Sequence, residues 1–213
     1  MDIVHPAIER YLSRLAQVDD EPVVLEMEEL AREKGFPIIN RLCGQLLEVV
    51  ARTAGARRIF EMGSGFGYSA YWFSRATGPG GEIHLTDTDP DNERMALEFL
   101  GRAGLGGPIQ YHVGDAFQAL ERTSGEFDIV YCDIDKGDYP RAWDEGRKRV
   151  RIGGLYVCDN MLWSGRVTGE VEEDDRGWTD AIGATNRAIF EDPDWRSTIV
   201  PLRDGVVVAV RVR

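Results

Sequence analysis

From residue 57 onward, short apolar runs alternate with longer amphipathic ones. Residues 57–62, 82–87, 109–113, 127–132 and 155–158 read as strands. Helical spacing follows at 67–77, from Pro90 to Gly104, at 115–122, around 139–150 and around 179–190. Strand and helix alternating five times predicts an α/β protein with a parallel, doubly wound sheet. Two last runs, 196–202 and 206–212, flank Asp204-Gly205, a hairpin signal. One antiparallel strand is therefore expected at the C-terminal edge.

Ahead of this core, residues 2–34 read as two helical pieces. Ile8, Tyr11, Leu12 and Leu15 share one face of the first, and Leu25, Met27, Leu30 and Ala31 serve the second. Gly35-Phe36-Pro37 breaks the pattern, and a further helix fits 41–54 around Leu42, Leu46, Leu47, Val49 and Val50. The 213 residues suit one domain, with an N-terminal helical segment at 1–54 and a Rossmann-like core at 55–213.

Composition removes several function classes. No apolar run approaches the roughly 20 residues needed to cross a bilayer. The net charge of −12 counts against a nucleic-acid partner, whose phosphates require Lys and Arg. Part of that charge sits in Glu170, Glu172, Glu173, Asp174 and Asp175, which read as a solvated loop or a charged lid. The opening residues, MDIVHPAIERYLSRL, mix in acids and lack the apolar stretch of a signal peptide. Cys43, Cys132 and Cys158 have no metal-type spacing, so buried thiols in a reducing cytoplasm are expected.

In a doubly wound sheet, ligands bind beyond the carboxyl ends of the strands. The first such segment runs Gly63-Ser64-Gly65-Phe66-Gly67-Tyr68-Ser69. Alternate glycines let backbone turn and approach a ligand, and the next helix offers its first amides to an anion. A dinucleotide fingerprint has its third glycine one residue later, so this spacing suits a smaller anion such as a carboxylate. Ser69 is placed to add a hydroxyl. A strand-to-helix turn that binds nothing is the competing reading of the glycines alone.

Asp87 ends the second strand and suits the two hydroxyls of a ribose. Asp89, followed by Pro90, reads as a helix cap. Asp133 and Asp159-Asn160 end two strands that would lie about 4.8 Å apart if adjacent. Two carboxylates and an amide oxygen make a hard donor set that suits Mg²⁺. Lys136 beside them is a candidate base, with burial and a nearby cation expected to lower its pKa. A surface pair with Asp135 or Asp138 is the alternative for that lysine.

From about residue 36 the chain resembles the cation-dependent, S-adenosylmethionine-dependent O-methyltransferases, the group of catechol and caffeoyl-CoA O-methyltransferases. The resemblance rests on Cys43-Gly-Gln-Leu-Leu47, 60–69, Gly114-Asp-Ala116, Asp133-Ile-Asp-Lys136 and 159–167. It implies a Rossmann-like class I methyltransferase fold: seven strands, mostly parallel, one antiparallel strand near the C-terminus, helices on both faces and extra N-terminal helices. It also assigns positions. Ile39, Glu61, Gly63, Ser64 and Gly65 fall at the cofactor, and Ser69 at its carboxylate. Asp87 falls at the ribose, and Asp115 and Ala116 at the adenine. Asp133, Asp159 and Asn160 match metal ligands, and Lys136 matches the base. Trp163 and Ser164 lie where the acceptor is held; plant caffeoyl-CoA enzymes carry Asn in place of Ser164.

The expected reaction is therefore Mg²⁺-dependent methyl transfer (Mn²⁺ and Ca²⁺ being other fits) from S-adenosylmethionine to a hydroxyl of a catechol-like aromatic, hydroxycinnamoyl derivatives included. The 164–178 loop is expected to set acceptor choice. The resemblance also implies a homodimer. A tRNA hydroxyuridine methyltransferase is the alternative from related enzymes, and a nicotinamide-dependent oxidoreductase the alternative from the sheet.

Overall fold

The computed structural model describes residues 3–16, 21–107, 109–170 and 177–213. Helices α1 (Pro6–Ala16), α2 (Pro22–Lys34) and α3 (Arg41–Thr53) precede β1 (Arg58–Met62). The chain then runs α4 (Tyr68–Thr77), β2 (Glu82–Asp87), α5 (Pro90–Arg102), β3 (Ile109–Val113), α6 (Ala116–Arg122) and β4 (Phe127–Cys132). It closes with α7 (Tyr139–Gly146), β5 (Val150–Cys158), α8 (Trp178–Glu191), β6 (Trp195–Val200) and β7 (Val206–Arg211).

The seven strands stand in the order β3-β2-β1-β4-β5-β7-β6, parallel through β5. β7 runs antiparallel to both neighbours. The order corrects the expected position of the reversed strand: β7 is inserted beside β5, and β6 forms the edge. This places the β6–β7 turn at the carboxyl end of β5, since Cys158 pairs with Val207.

Alternation along each strand sorts side chains to two cores. Ile59, Ile129, Tyr131, Leu155 and Val157 join the layer under α2 to α5. Phe60, Phe127, Val130, Tyr156 and Cys158 join the layer under α6 to α8. Central strands buried on both faces explain why these runs read as continuously apolar. At α5 a cap sets the helix start: Asp89 accepts from the Asp91 amide with Pro90 in the first turn, as expected, a cap of about 1 kcal/mol.

Two details differ from the sequence reading. β5 begins at Val150 rather than 155, because Phe127 pairs with Val150 and Ile129 with Leu155 across a bulge. Gly154 allows it: a Cβ there would stand 2.8 Å from the Asp128 carbonyl oxygen. On α1, Ile8, Tyr11 and Leu15 are exposed while Leu12 is partly buried, so the predicted apolar face is mostly at the surface. Among the described residues, no helix is long and apolar enough to cross a membrane.

Candidate active site

The carboxyl ends of β1, β2, β4 and β5 open onto one cavity of about 660 Å³. Its floor is the β1–α4 turn. Gly63, Gly65 and Gly67 all have positive φ, at 80°, 48° and 87°. Each also faces a close neighbour. A Cβ on Gly63 would collide with the Asp133 carbonyl oxygen, and one on Gly65 would stand 2.8 Å from the Phe36 ring. On Gly67 it would reach Ala96 at 3.0 Å. The glycines thus serve left-handed backbone and close packing together.

Hydrogen bonds fix the turn against β2. The Ser64 amide donates to the Thr86 carbonyl at 2.7 Å, and the Thr86 amide donates to Ser64 Oγ at 3.0 Å. Asp87 Oδ2 accepts from the Gly65 amide at 3.1 Å, and its Oδ1 accepts from the Asp89 amide and Asn92. Tyr111 donates to the Gly65 carbonyl at 2.5 Å. Among the described residues, no side chain caps the N-terminus of α4. Its first-turn amides lie where an anion can meet them.

Glu61 lies behind this wall, fully buried, and Ser69 donates its hydroxyl to Glu61 Oε1. Glu61 Oε2 has no hydrogen-bond partner among the described residues. Burial pushes the Glu61 carboxyl up to about 8 against the Ser69 bond, with Asp133 and Asp87 adding to the rise. Asp115 is exposed and caps α6 through the Gln118 amide at 2.8 Å, while Ala116 and Ile39 line the cavity.

β4 and β5 bring Asp133 and Asp159 together, since Cys132 and Cys158 are register partners. Lys136 Nζ donates to Asp133 Oδ1 at 2.9 Å, which settles its partner in favour of Asp133 over Asp135 and Asp138. Its pKa is set by two opposed effects. Burial lowers it, but the charge and hydrogen bond of Asp133, with Cys158 and Asp159, outweigh burial and raise it. Asp159 is fully buried, and its Oδ2 accepts from Arg203 Nη1 at 3.0 Å. Asp159 Oδ1 has no partner among the described residues. Burial first, then the Asp133 charge, raises its pKa against the pull of Arg203. Asn160 follows with φ 61°, reached by Tyr139 Oη at 3.5 Å.

Among the described residues, the non-glycine positions of positive φ are Asn160, Trp163, Ser164 and Arg203. All four cluster at the end of β5, where strained backbone marks candidate function. Ser164 faces Asp204 and a second cavity of about 300 Å³ rather than the first. Trp163 lines the first cavity and meets Trp178 edge to face, centroids 5.7 Å apart. Among the described residues, no group of three or more His, Cys, Asp or Glu gathers as a metal site. The proposed oxygen set therefore depends on the Asn160 amide as its third member.

Sequence reasoning missed Phe36, Arg203 and Asp204 and reached Trp178 only as the end of the 164–178 loop; all four line the main cavity. Asp204-Gly205 was visible as a hairpin turn, and only the position of β7 turns it and the preceding Arg203 toward the site. Most of the acidic run, 171–176, lies outside the described residues.

A sequence model of the O-methyltransferase family matches residues 16–212. A catechol O-methyltransferase of Niastella koreensis is 30% identical over 173 residues, 78% of each chain. An inferred O-methyltransferase of Mycolicibacterium smegmatis is 31% identical over 91% of this chain and 92% of its own. The crystal structure of TomG from Streptomyces achromogenes, an O-methyltransferase involved in tomaymycin synthesis and solved with S-adenosylmethionine, superposes with a TM-score of 0.85 at 26% identity. That match covers 97% of this chain and 96% of TomG.

Proposed function

The chain belongs to the O-methyltransferase family, and on that premise we propose that it methylates a hydroxyl of a catechol-like small molecule with S-adenosylmethionine and a divalent cation. The observation that carries this reading is one cavity shared by the glycine turn, Asp87 and the Asp133–Lys136–Asn160 cluster. Catechol is the acceptor named for the Niastella koreensis relative.

The residues fit both groups. The α4 N-terminus suits the cofactor's carboxylate, with Ser69 beside it, and Asp87 on the cavity wall suits ribose hydroxyls. Gly63, Ser64, Gly65 and Ile39 would shape the methionine end, and Asp115 and Ala116 the adenine end. For the cation, Asp133, Asp159 and Asn160 offer oxygen donors, and Asp159 Oδ1 lacks a partner among the described residues. When bound, S-adenosylmethionine supplies an electrophilic methyl group and the cation acidifies an acceptor hydroxyl.

The remaining work falls to this chain. The turn and Asp87 hold the donor in one orientation, and Trp163 and Trp178 flank the acceptor with apolar surface that excludes water. Lys136 Nζ would take the hydroxyl proton. That role requires the neutral amine, so Asp133's charge must be drawn away from Lys136 before the proton moves. Buried free thiols at all three cysteines support a reducing cytoplasm. Exposed Ile8, Tyr11 and Leu15 on α1 support a homodimer, which light scattering of the purified chain checks.

The test is calorimetry with S-adenosylmethionine, then mass spectrometry of catechols, hydroxycinnamates and their CoA esters with Mg²⁺ or EDTA. Cofactor binding with EDTA-sensitive methylation of a vicinal diol is expected. Full-rate methylation in EDTA would remove the cation from the reading.

A further inference from the structure

We infer that Arg203 is the resident counter-ion of Asp159, competing with a divalent cation at the acid pair and so setting how loosely that cation is held. The inference rests on the metal set proposed above.

Asp133 and Asp159 end neighbouring strands, and each already carries one cation. Lys136 donates to Asp133 at 2.9 Å, and Arg203 donates to Asp159 at 3.0 Å. With both acids ionised, two negative and two positive charges make the quartet neutral before any ion enters. A divalent ion placed at these carboxylates would therefore meet two cations close by, and their repulsion offsets its attraction to the acids. The two cations are not equivalent. A lysine can lose its proton, but a guanidinium stays charged. Arg203 must either tolerate the ion or swing away, and its side chain, 32% exposed, borders both cavities and has room to move.

The backbone points the same way. Arg203 sits at φ 50°, a conformation that glycine takes freely and a Cβ resists. The turn is held without the Arg203 side chain: the Gly205 amide donates to Leu202 O at 2.8 Å, Met161 to Gly205 O at 2.9 Å and Leu162 to Asp204 O at 2.8 Å. An arginine in a left-handed position that the turn does not need is accounted for by its contact with Asp159. One effect opposes the competition. By holding Oδ2, Arg203 fixes the Asp159 rotamer and leaves Oδ1 available, and an outer partner of that kind raises metal affinity. The neutral charge count favours competition, and the two effects predict opposite changes.

The experiment is a Mn²⁺ titration of the full chain, followed by the electron paramagnetic resonance signal of the free ion. Wild type, Arg203→Gly, Arg203→Lys and the double variant Asp133→Asn/Asp159→Asn are compared. Arg203→Gly relaxes the backbone but strips buried Asp159 of its ion-pair partner, so thermal melting of every variant verifies that it folds. The expected result is a Kd lowered about tenfold or more in Arg203→Gly and nearly unchanged in Arg203→Lys, which keeps the charge. An unchanged or higher Kd in Arg203→Gly overturns competition while leaving the metal reading intact. Mn²⁺ binding by no form, or binding that survives in the double variant, overturns both.

Discussion

Lys136 donates to Asp133 Oδ1 at 2.9 Å and to the Ile134 carbonyl at 3.2 Å, so the candidate base is held as an ammonium by an acid three residues away. The pair gives Lys136 two separable roles, proton acceptor and counter-charge. Arg at this position keeps the charge and cannot accept a proton. Lys136→Arg and Lys136→Ala are both expected to lower kcat by about a hundredfold to ten-thousandfold, with S-adenosylmethionine affinity unchanged by calorimetry. Activity retained in Lys136→Arg would reassign the residue as a counter-charge.

Glu61 is an acid with its folded pKa raised to about 8 and one oxygen without a partner among the described residues. A carboxyl raised on folding contributes stability that is fully present below its unfolded value of about 4.5 and lost as pH rises toward 8. The wild-type chain is therefore expected to lose stability across that window, by a few kcal/mol at most from this group. Glu61→Gln keeps the shape and cannot ionise. Its melting temperature should exceed that of wild type at pH 8, with the gap closing near pH 4.5. Parallel pH profiles for the two proteins would show that Glu61 is not the group responsible.

Gly63→Ala tests the glycine turn. The added methyl would meet the Asp133 carbonyl oxygen, which is backbone and cannot swing aside, at a φ of 80°. A Cβ in left-handed backbone alone costs about 1–2 kcal/mol. We expect a melting temperature lowered by several degrees, on the scale of about 2–4 °C per kcal/mol for a chain this size. Cofactor binding should weaken with it. Gly35→Ala, at φ 60° with open space around the new methyl, is the comparison and should cost less.

Strand and helix positions were legible because central parallel strands are apolar on both faces, and some of the helices between them start at a side-chain cap. Asp89-Pro90 is one such cap, and it falls where expected. Asp87, Asp133, Asp159 and Asn160 were legible for a related reason: a parallel sheet delivers its strand ends to one rim. Arg203 was not, because its place depends on β7 inserting between β5 and β6, a pairing choice that local sequence does not encode. The direction of the Lys136 shift in the cation-free chain was not legible for an energetic reason. Desolvation and a carboxylate neighbour act oppositely on a lysine, and only the 2.9 Å contact decides between them.

Trp178 provides the last prediction. It lies just past the 171–176 segment and stands edge to face with Trp163, both rings on the wall of the main cavity. Aromatic pairs of this geometry contribute about 0.5–1.5 kcal/mol beyond the area they bury. If the pair holds the acceptor ring, Trp178→Ala should raise the acceptor KM by roughly tenfold, because contacts made equally in ground and transition states act on KM. The kcat should hold, since Lys136 and Asp133 are untouched, and S-adenosylmethionine affinity should hold because the glycine turn lies on another wall. A Trp178→Phe variant should recover most of the loss. A fall in kcat with KM unchanged would instead place Trp178 in ordering Lys136, next to Gly137, whose would-be Cβ lies 3.8 Å from the Trp178 indole nitrogen.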